Sequence, residues 1–175
     1  DLTNNAVWGT WDQLDVPRFY SPRIVGTGDN RFLMAWQREH REAAGWVDNI
    51  DYAIDETNGN SLRSLTQLTT DGASMLHSAN PVSGNRAILT WNRGWEDIFY
   101  SVLDSAGNAV RGATNLTNNG QGRWYSDAAA LPDGKTVVAW INYDGTFPDM
   151  DQLAFGVLNS SFYLIAGPTP LNNPI

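Results

Sequence analysis

The sequence has no cysteine and is poor in positive charge. Without cysteine the chain can form neither a disulfide framework nor a thiolate metal site. Its 11 basic residues stand against 19 acidic ones, for a net charge of -8, and Lys135 is the one lysine. Nucleic acids and anionic membranes are bound through clustered basic surfaces, so neither is an expected partner. No apolar run approaches the ~20 residues that a membrane-spanning helix needs.

What the sequence does contain is a unit of roughly 50 residues that occurs three times. Each copy has a short apolar strand that ends in tryptophan, at Trp36, Trp91 and Trp140, so the intervals are 55 and 49 residues. A turn rich in Gly, Asn and Asp precedes each strand, which is typical of a tight hairpin. We expect the three tryptophans to lie in the core, because each ends a run of large aliphatic residues at the same position.

Two further landmarks follow each tryptophan. The first is a strand with alternating apolar residues, after a variable loop, and the second is a closing Leu-Thr motif that is weaker in the third copy. The strands begin at Ile50, Ile98 and Leu153, and the closing motifs begin at Leu68, Leu116 and Leu171. Both landmarks are 48 and then 55 residues apart, so they agree on one repeat.

These units resemble the β-propeller repeats of large bacterial surface and secreted proteins, in which a Trp-ended strand precedes an Ile-x-Tyr strand and a closing Leu-Thr-Asn-Asn-Gly. The resemblance implies an all-β fold of three four-stranded antiparallel propeller-type blades, at 18–72, 73–120 and 121–175. It also implies an extracellular or cell-surface location, which suits the absent cysteine and scarce lysine. A closed propeller needs roughly 4 to 8 blades, so three leave sheet faces uncovered.

The N-terminal segment 1–17 carries a fourth closing motif without a blade of its own. We predict that this spare strand pairs with a sheet edge of a neighbouring copy, and that the two tryptophans after it anchor the contact or cover the open end of the blades. The residues concerned are Leu2, Thr3, Asn4, Asn5, Val7, Trp8 and Trp11. The expected partner is a second copy in head-to-tail contact, as a ring or a filament. Alternatively, the chain is an excerpt of a longer propeller.

Aromatic residues beside carboxylates, in the loops after the Trp-ended strands, suggest a second function. An aromatic ring can stack on a sugar while a carboxylate accepts hydrogen bonds from its hydroxyls, so a multivalent carbohydrate-binding module is the alternative. The candidates are Trp46, Asp48, Trp95, Asp97, Tyr143, Asp149 and Asp151. The competing interpretation is that the aspartates cap turns and that Trp95 packs between blades.

Evidence of cofactor or modification sites in the sequence is slight. Asp144, Asp149 and Asp151 offer oxygen ligands for Ca²⁺, but their loop does not match the twelve-residue Ca²⁺-binding loop, and a solvated acidic loop is the simpler interpretation. No cofactor is therefore expected. Asn115 and Asn159 begin N-glycosylation acceptor sequences, whose use depends on a glycosylating secretory route.

The two histidines, His40 and His77, occupy non-equivalent repeat positions, and the sequence contains neither a nucleophile elbow nor a phosphate-binding loop. We therefore expect a non-enzymatic structural or adhesive protein. Propeller-fold glycoside hydrolases work with two carboxylates, so a hydrolase of that kind, whole or as a fragment, is the enzymatic alternative.

Overall fold

The computed structural model describes residues 16–43, 45–120, 122–142 and 152–171, which form twelve strands and no helix. The strands are β1 (Arg18–Gly28), β2 (Arg31–Glu42), β3 (Gly45–Glu56), β4 (Ser61–Gln67), β5 (Ser74–Val82), β6 (Arg86–Arg93), β7 (Asp97–Asp104), β8 (Ala109–Asn115), β9 (Arg123–Ala130), β10 (Thr136–Asn142), β11 (Gln152–Leu158) and β12 (Leu164–Pro170). Within these residues, no helix of the length and apolarity needed to cross a membrane occurs.

The twelve strands form three antiparallel sheets of four, each a simple meander in chain order. Sheet 1 contains β1 to β4, sheet 2 contains β5 to β8, and sheet 3 contains β9 to β12. The predicted all-β fold with three blade-like sheets is confirmed, and the sheets do not close into a ring. The predicted spare strand lies outside the described residues.

The tight turns between first and second strands follow from residues that tolerate positive φ. Asp29 and Asn30 connect β1 to β2 with φ of 53° and 57°. At the same place in sheet 2, Gly84 and Asn85 have φ of 78° and 55°. Positive φ at both central residues is what a type I′ turn requires, and this turn matches the twist of the strands it joins.

The segment from Trp36 to Ile50 was predicted to be a variable loop, and this prediction is wrong. β2 and β3 pair without interruption from Arg31 opposite Glu56 to Glu42 opposite Gly45. Polar cross-strand contacts extend this hairpin beyond its apolar part; for example, the Gln37 amide donates to the Asp48 carboxylate at 2.8 Å. Polar cross-strand pairs stabilise a sheet as apolar pairs do, so a prediction from the spacing of apolar residues misses strands that are held by polar pairs.

The core lies in two layers, one between sheets 1 and 2 and one between sheets 2 and 3. Trp91 belongs to the first layer and Trp140 to the second, with 1% and 0% of their surface exposed. Trp36 is 8% exposed and lies on the side of sheet 1 that faces away from sheet 2. The first strands also lie side by side along one edge of the array, β1 beside β5 and β5 beside β9.

The repeated closing motif has a definite structural role. The leucine N–H donates to the carbonyl of the residue that begins the third-strand repeat, at 2.7 Å from Leu68 to Ile50 and 2.8 Å from Leu116 to Ile98. The same bond joins Leu171 to Leu153 at 2.7 Å. The motif therefore fixes the end of each outer strand onto its own sheet.

Candidate functional site

Each sheet has two faces, which we name by chain order. The forward face is turned toward the following sheet, and the backward face toward the preceding one. The forward residues of sheet 1 are Leu33, Ala35, Ile50, Tyr52 and Ile54, all buried against sheet 2. The equivalent residues of sheet 2 are Ile88, Thr90, Ile98, Tyr100 and Val102, all buried beside sheet 3.

The forward face of sheet 3 keeps this apolar pattern, although no further sheet follows among the described residues. Its equivalent residues are Val137, Ala139, Leu153, Phe155 and Val157. None of them is buried, and 46% of Leu153 is exposed, whereas their neighbours on the backward face are buried. This apolar face is therefore partly exposed, and no further sheet of the described residues covers it.

The backward face of sheet 1 is the opposite end of the array. Ile24 and Met34 are cross-strand neighbours there, in the positions that Ala79 and Leu89 occupy in sheet 2. Ile24 is 71% exposed. Together with Trp36 these side chains line an apolar groove of about 320 Å³ between β1 and β2.

Tyrosine hydroxyls join the forward face of each inner sheet to the sheet that follows. Tyr52 donates to the carbonyl of Gly107 at 2.8 Å, and Tyr100 donates to the carbonyl of Phe162 at 2.7 Å. Both acceptors lie in the turn between the third and fourth strands of the following sheet. The equivalent residue of sheet 3 is Phe155, which has no hydroxyl.

Arginines of the outer strands reach the same turns. Arg63 donates from Nε to the carbonyl of Ala106 at 2.9 Å and from Nη2 to Oδ1 of Asn108 at 2.8 Å. Arg111 lies 4.2 Å above the ring of Tyr163. Ala166 takes this place in sheet 3, since it pairs with Val157 as the arginines pair with Ile54 and Val102.

The sequence pointed to none of these contacts in advance. A position-by-position comparison of the three repeats reveals the signal, because tyrosine, tyrosine and phenylalanine align, as do arginine, arginine and alanine.

A polar network also connects the first strands. Arg23 donates from Nε to the carbonyl of His77 at 2.8 Å, and the Ser126 N–H donates to Nδ1 of His77 at 3.0 Å. The Ser126 hydroxyl then donates to Thr90 at 2.8 Å. Burial lowers the pKa of His77 to about 4, and the Arg23 charge acts in the same direction. His77 is thus a neutral hydrogen-bond acceptor between sheets 2 and 3.

The sugar-binding candidates of the first hairpin make contacts within the chain. Trp46 lies on β3, and the Arg18 guanidinium sits 4.4 Å from its ring centroid. Arg18 also pairs with Glu39 at 3.0 Å. The Asp48 carboxylate accepts a hydrogen bond from the Gln37 amide. The backbone N–H of Asp48 donates to the carbonyl of Gly72 at 2.9 Å.

The second pair of candidates, Trp95 and Asp97, lies at the turn between β6 and β7, which contacts the segment that connects sheet 2 to sheet 3. The carbonyl of Trp95 accepts from the Arg123 N–H at 3.0 Å. The Asp97 carboxylate accepts from five donors: the side chains of Asn115, Thr117 and Arg123, and the N–H groups of Asn119 and Gly120. Burial alone would raise the pKa of Asp97, but the hydrogen bonds outweigh it and lower that pKa. Asp97 thus secures the linker between the two sheets.

Several predicted residues lie outside the described part of the chain. They are Leu2, Thr3, Asn4, Asn5, Val7, Trp8, Trp11, Tyr143, Asp144, Asp149 and Asp151. Strand donation, the Ca²⁺ site and the third sugar-binding loop therefore stay predictions. Over 16–43, 45–120, 122–142 and 152–171, no group of three metal-ligating side chains comes together.

No family model matches the sequence, and no curated protein matches it. Among solved structures, the chain is similar to a protein from Bifidobacterium bifidum s17 that is provisionally described as an exo-beta-1,3-galactanase. The two share 10% sequence identity with a TM-score of 0.48, over 85% of this chain and 51% of that one. The chain thus spans about half the length of that protein, and a likeness at this level carries no inference about function.

Proposed function

We propose that this protein is a structural, self-associating β-repeat protein in which the forward face of sheet 3 packs against the backward face of sheet 1 of a second copy. One observation carries the proposal. The forward face of sheet 3, which no sheet of the described residues covers, repeats position by position the apolar side chains that sheets 1 and 2 bury against the sheet that follows them. Uncovered apolar faces of this kind mark association sites.

The sizes of side chains at the two ends support a contact between them. Near the first strands, the forward face has Val25 and Leu33 in sheet 1 but the smaller Ala129 and Val137 in sheet 3. The backward face has alanine at this level in sheets 2 and 3 but the larger Ile24 in sheet 1. In the proposed contact, the smaller side chains of the forward face of sheet 3 pack against the larger side chain of the backward face of sheet 1, so that the space between the sheets is filled.

A contact between two different faces is heterologous, so repetition of it produces a ring if the rotation closes and a filament if it does not. Donation of the N-terminal strand, 2–7, remains a separate prediction that would add to this contact. An extracellular, adhesive role and propeller kinship are parts of the proposal that rest on the sequence repeats.

Sedimentation velocity over a range of concentrations tests the proposal. We expect the wild-type protein to associate as its concentration rises, and Val157→Lys to remove that association by placing a charge in the apolar contact. Ala113→Lys adds the same charge at an exposed position of outer strand β8 in the middle sheet, which forms neither end face, and is the matched control, expected to associate as the wild type does.

Thermal unfolding of the three proteins shows whether they are folded under the conditions of the experiment. A folded wild type that is monomeric at every concentration would overturn the proposal. So would a folded Val157→Lys variant that associates as strongly as the wild type.

Glycan binding, the alternative function, has less support among the described residues. Asp48 and Asp97 accept hydrogen bonds from donors of the chain itself, and the Arg18 guanidinium lies over the ring of Trp46, which keeps 42% of its surface exposed. We therefore expect no signal on a glycan array, and a signal that Trp95→Ala removes would restore this alternative.

A further inference from the structure

The two ends of the array differ from its inner interfaces in their polar contacts. Inside the molecule, Tyr52 and Tyr100 donate to a carbonyl in a turn of the following sheet, and Arg63 and Arg111 lie over the same turn. On the forward face of sheet 3, Phe155 and Ala166 take these places. The apolar part of the interface is repeated there, but its polar part is absent.

The surface that would receive these residues is the turn of sheet 1 that is equivalent to the buried turns. Gly59 of this turn is exposed, and a methyl group on it would meet no atom within 4 Å. Gly107, its equivalent in sheet 2, is buried, and a methyl group there would lie 2.6 Å from Nε of Arg63. The turn of sheet 1 is therefore equivalent to the turns that an arginine and a tyrosine cover inside the molecule, but it is itself exposed.

Building on the proposed function, we infer that Phe155 and Ala166 of one copy meet the turn at Asn58, Gly59 and Asn60 of the next copy. The missing hydroxyl and guanidinium make this contact weaker than the contacts between sheets of one copy. Phe155 and Ala166 are thereby the residues that set the affinity of self-association.

The physical reason lies in the two states that the end face must occupy. The inner faces are buried for as long as the protein is folded, so their tyrosine hydroxyls always have an acceptor. The end face alternates between water and a second copy, and a phenylalanine brings no polar atom that could be buried without a partner. Phenylalanine in place of tyrosine at this position therefore lowers the affinity of self-association without adding the cost of burying an unpaired hydroxyl.

The test is a gain of affinity. In Phe155→Tyr the new hydroxyl can donate to the carbonyl of Gly59, and in Ala166→Arg the new guanidinium can reach Asn60 as Arg63 reaches Asn108. One net hydrogen bond corresponds to about a threefold to tenfold change in Kd, so we expect each variant to tighten self-association by about that factor. Sedimentation velocity gives the Kd values.

Two controls separate this effect from general changes. Ala113→Arg makes the same substitution at an exposed position of outer strand β8, away from both end faces, and is expected to leave Kd unchanged. Asn60→Ala removes the side-chain acceptor in the receiving turn but not the backbone carbonyl equivalent to that of Ala106, so it is expected to reduce the gain from Ala166→Arg and to leave the gain from Phe155→Tyr unchanged.

The outcomes distinguish this inference from the proposed function. If Val157→Lys dissociates the protein but neither gain-of-affinity variant lowers Kd, the residue assignment is wrong and self-association stands. If Asn60→Ala leaves the gain from Ala166→Arg intact, the assignment of the receiving turn is wrong. If the wild type does not associate at all, both are wrong.

Discussion

The interfaces between sheets within this molecule and the faces at its two ends use the same apolar positions in different ways. Between sheets, apolar side chains are fully buried and are joined by tyrosine hydroxyls and arginines. At the ends, the apolar side chains remain but these polar groups are missing on sheet 3. Burial of apolar area supplies the driving force for a contact, whereas oriented polar groups add specificity for one partner.

The largest expected difference between the two kinds of surface concerns tryptophan. Trp91→Ala leaves a cavity in a closed interface and should lower the free energy of unfolding by about 3 to 5 kcal/mol. Trp36→Ala, at the same repeat position on the backward face of sheet 1, should cost roughly half as much, because no sheet of the described residues encloses the space it leaves. Chemical denaturation of both variants at low concentration measures the difference, and equal losses would contradict the distinction between closed and open faces.

The repeat itself could be predicted from the sequence, because it rests on local patterns. Three tryptophans at the ends of aliphatic strands, turn residues before them and a closing leucine define each sheet without knowledge of tertiary contacts. The long hairpin of β2 and β3 could not be predicted in this way, since its outer half is held by polar pairs such as Gln37 with Asp48.

The candidate site was less predictable than the fold. The residues that join the sheets lie 36 to 62 positions apart in the chain, as with Thr90 and Ser126 or Tyr100 and Phe162. Such contacts depend on how one sheet is placed on the next, and a single repeat carries no information about that. Trp46 and Asp97 were predicted from the sequence as sugar-binding residues, but Trp46 contacts Arg18 and Asp97 accepts a hydrogen bond from Thr117.

The linkers between sheets give a second comparison. Asp97 accepts five hydrogen bonds and pairs with Arg123, which is 1% exposed, so Asp97→Ala should cost about 2 to 4 kcal/mol by leaving a buried charge without its carboxylate. At the same position in sheet 1, Asn49 accepts one hydrogen bond, from Gly72 at 3.1 Å, and Asn49→Ala should cost about 1 kcal/mol. Urea denaturation tests the order, and a larger loss in Asn49→Ala would reverse our account of the linkers.

The interface between sheets 2 and 3 should respond to pH through His77. Because the pKa of His77 is lowered to about 4 in the folded protein, the unfolded chain binds the proton first as the pH falls from 6.5. Stability should therefore be constant above pH 6.5 and fall by about 2 to 3 kcal/mol between pH 6.5 and pH 4.

The variant His77→Gln provides the control for this window, because glutamine does not titrate. The lowered pKa of Asp97 contributes stability that is lost mainly as the pH falls below about 3.8, so most of that loss lies under the histidine window. Unfolding free energies at half-unit pH steps would show the slope in the wild type and its loss in His77→Gln. A slope that persists in the variant would assign the pH dependence to another group.

The smallest expected effect is on the free energy of unfolding, and it differs between Tyr100, which is buried between sheets, and Phe155, the equivalent residue on the forward face of sheet 3. Tyr100→Phe removes the hydroxyl that donates to Phe162 and leaves that buried carbonyl without this donor, so it should cost about 1 kcal/mol in unfolding free energy without changing Kd. Phe155→Tyr should leave the stability of the monomer within about 0.5 kcal/mol, because its hydroxyl faces water until a second copy binds. Denaturation below the Kd measures both. A stability change in Phe155→Tyr as large as that in Tyr100→Phe would mean that the forward face of sheet 3 is already covered within one chain.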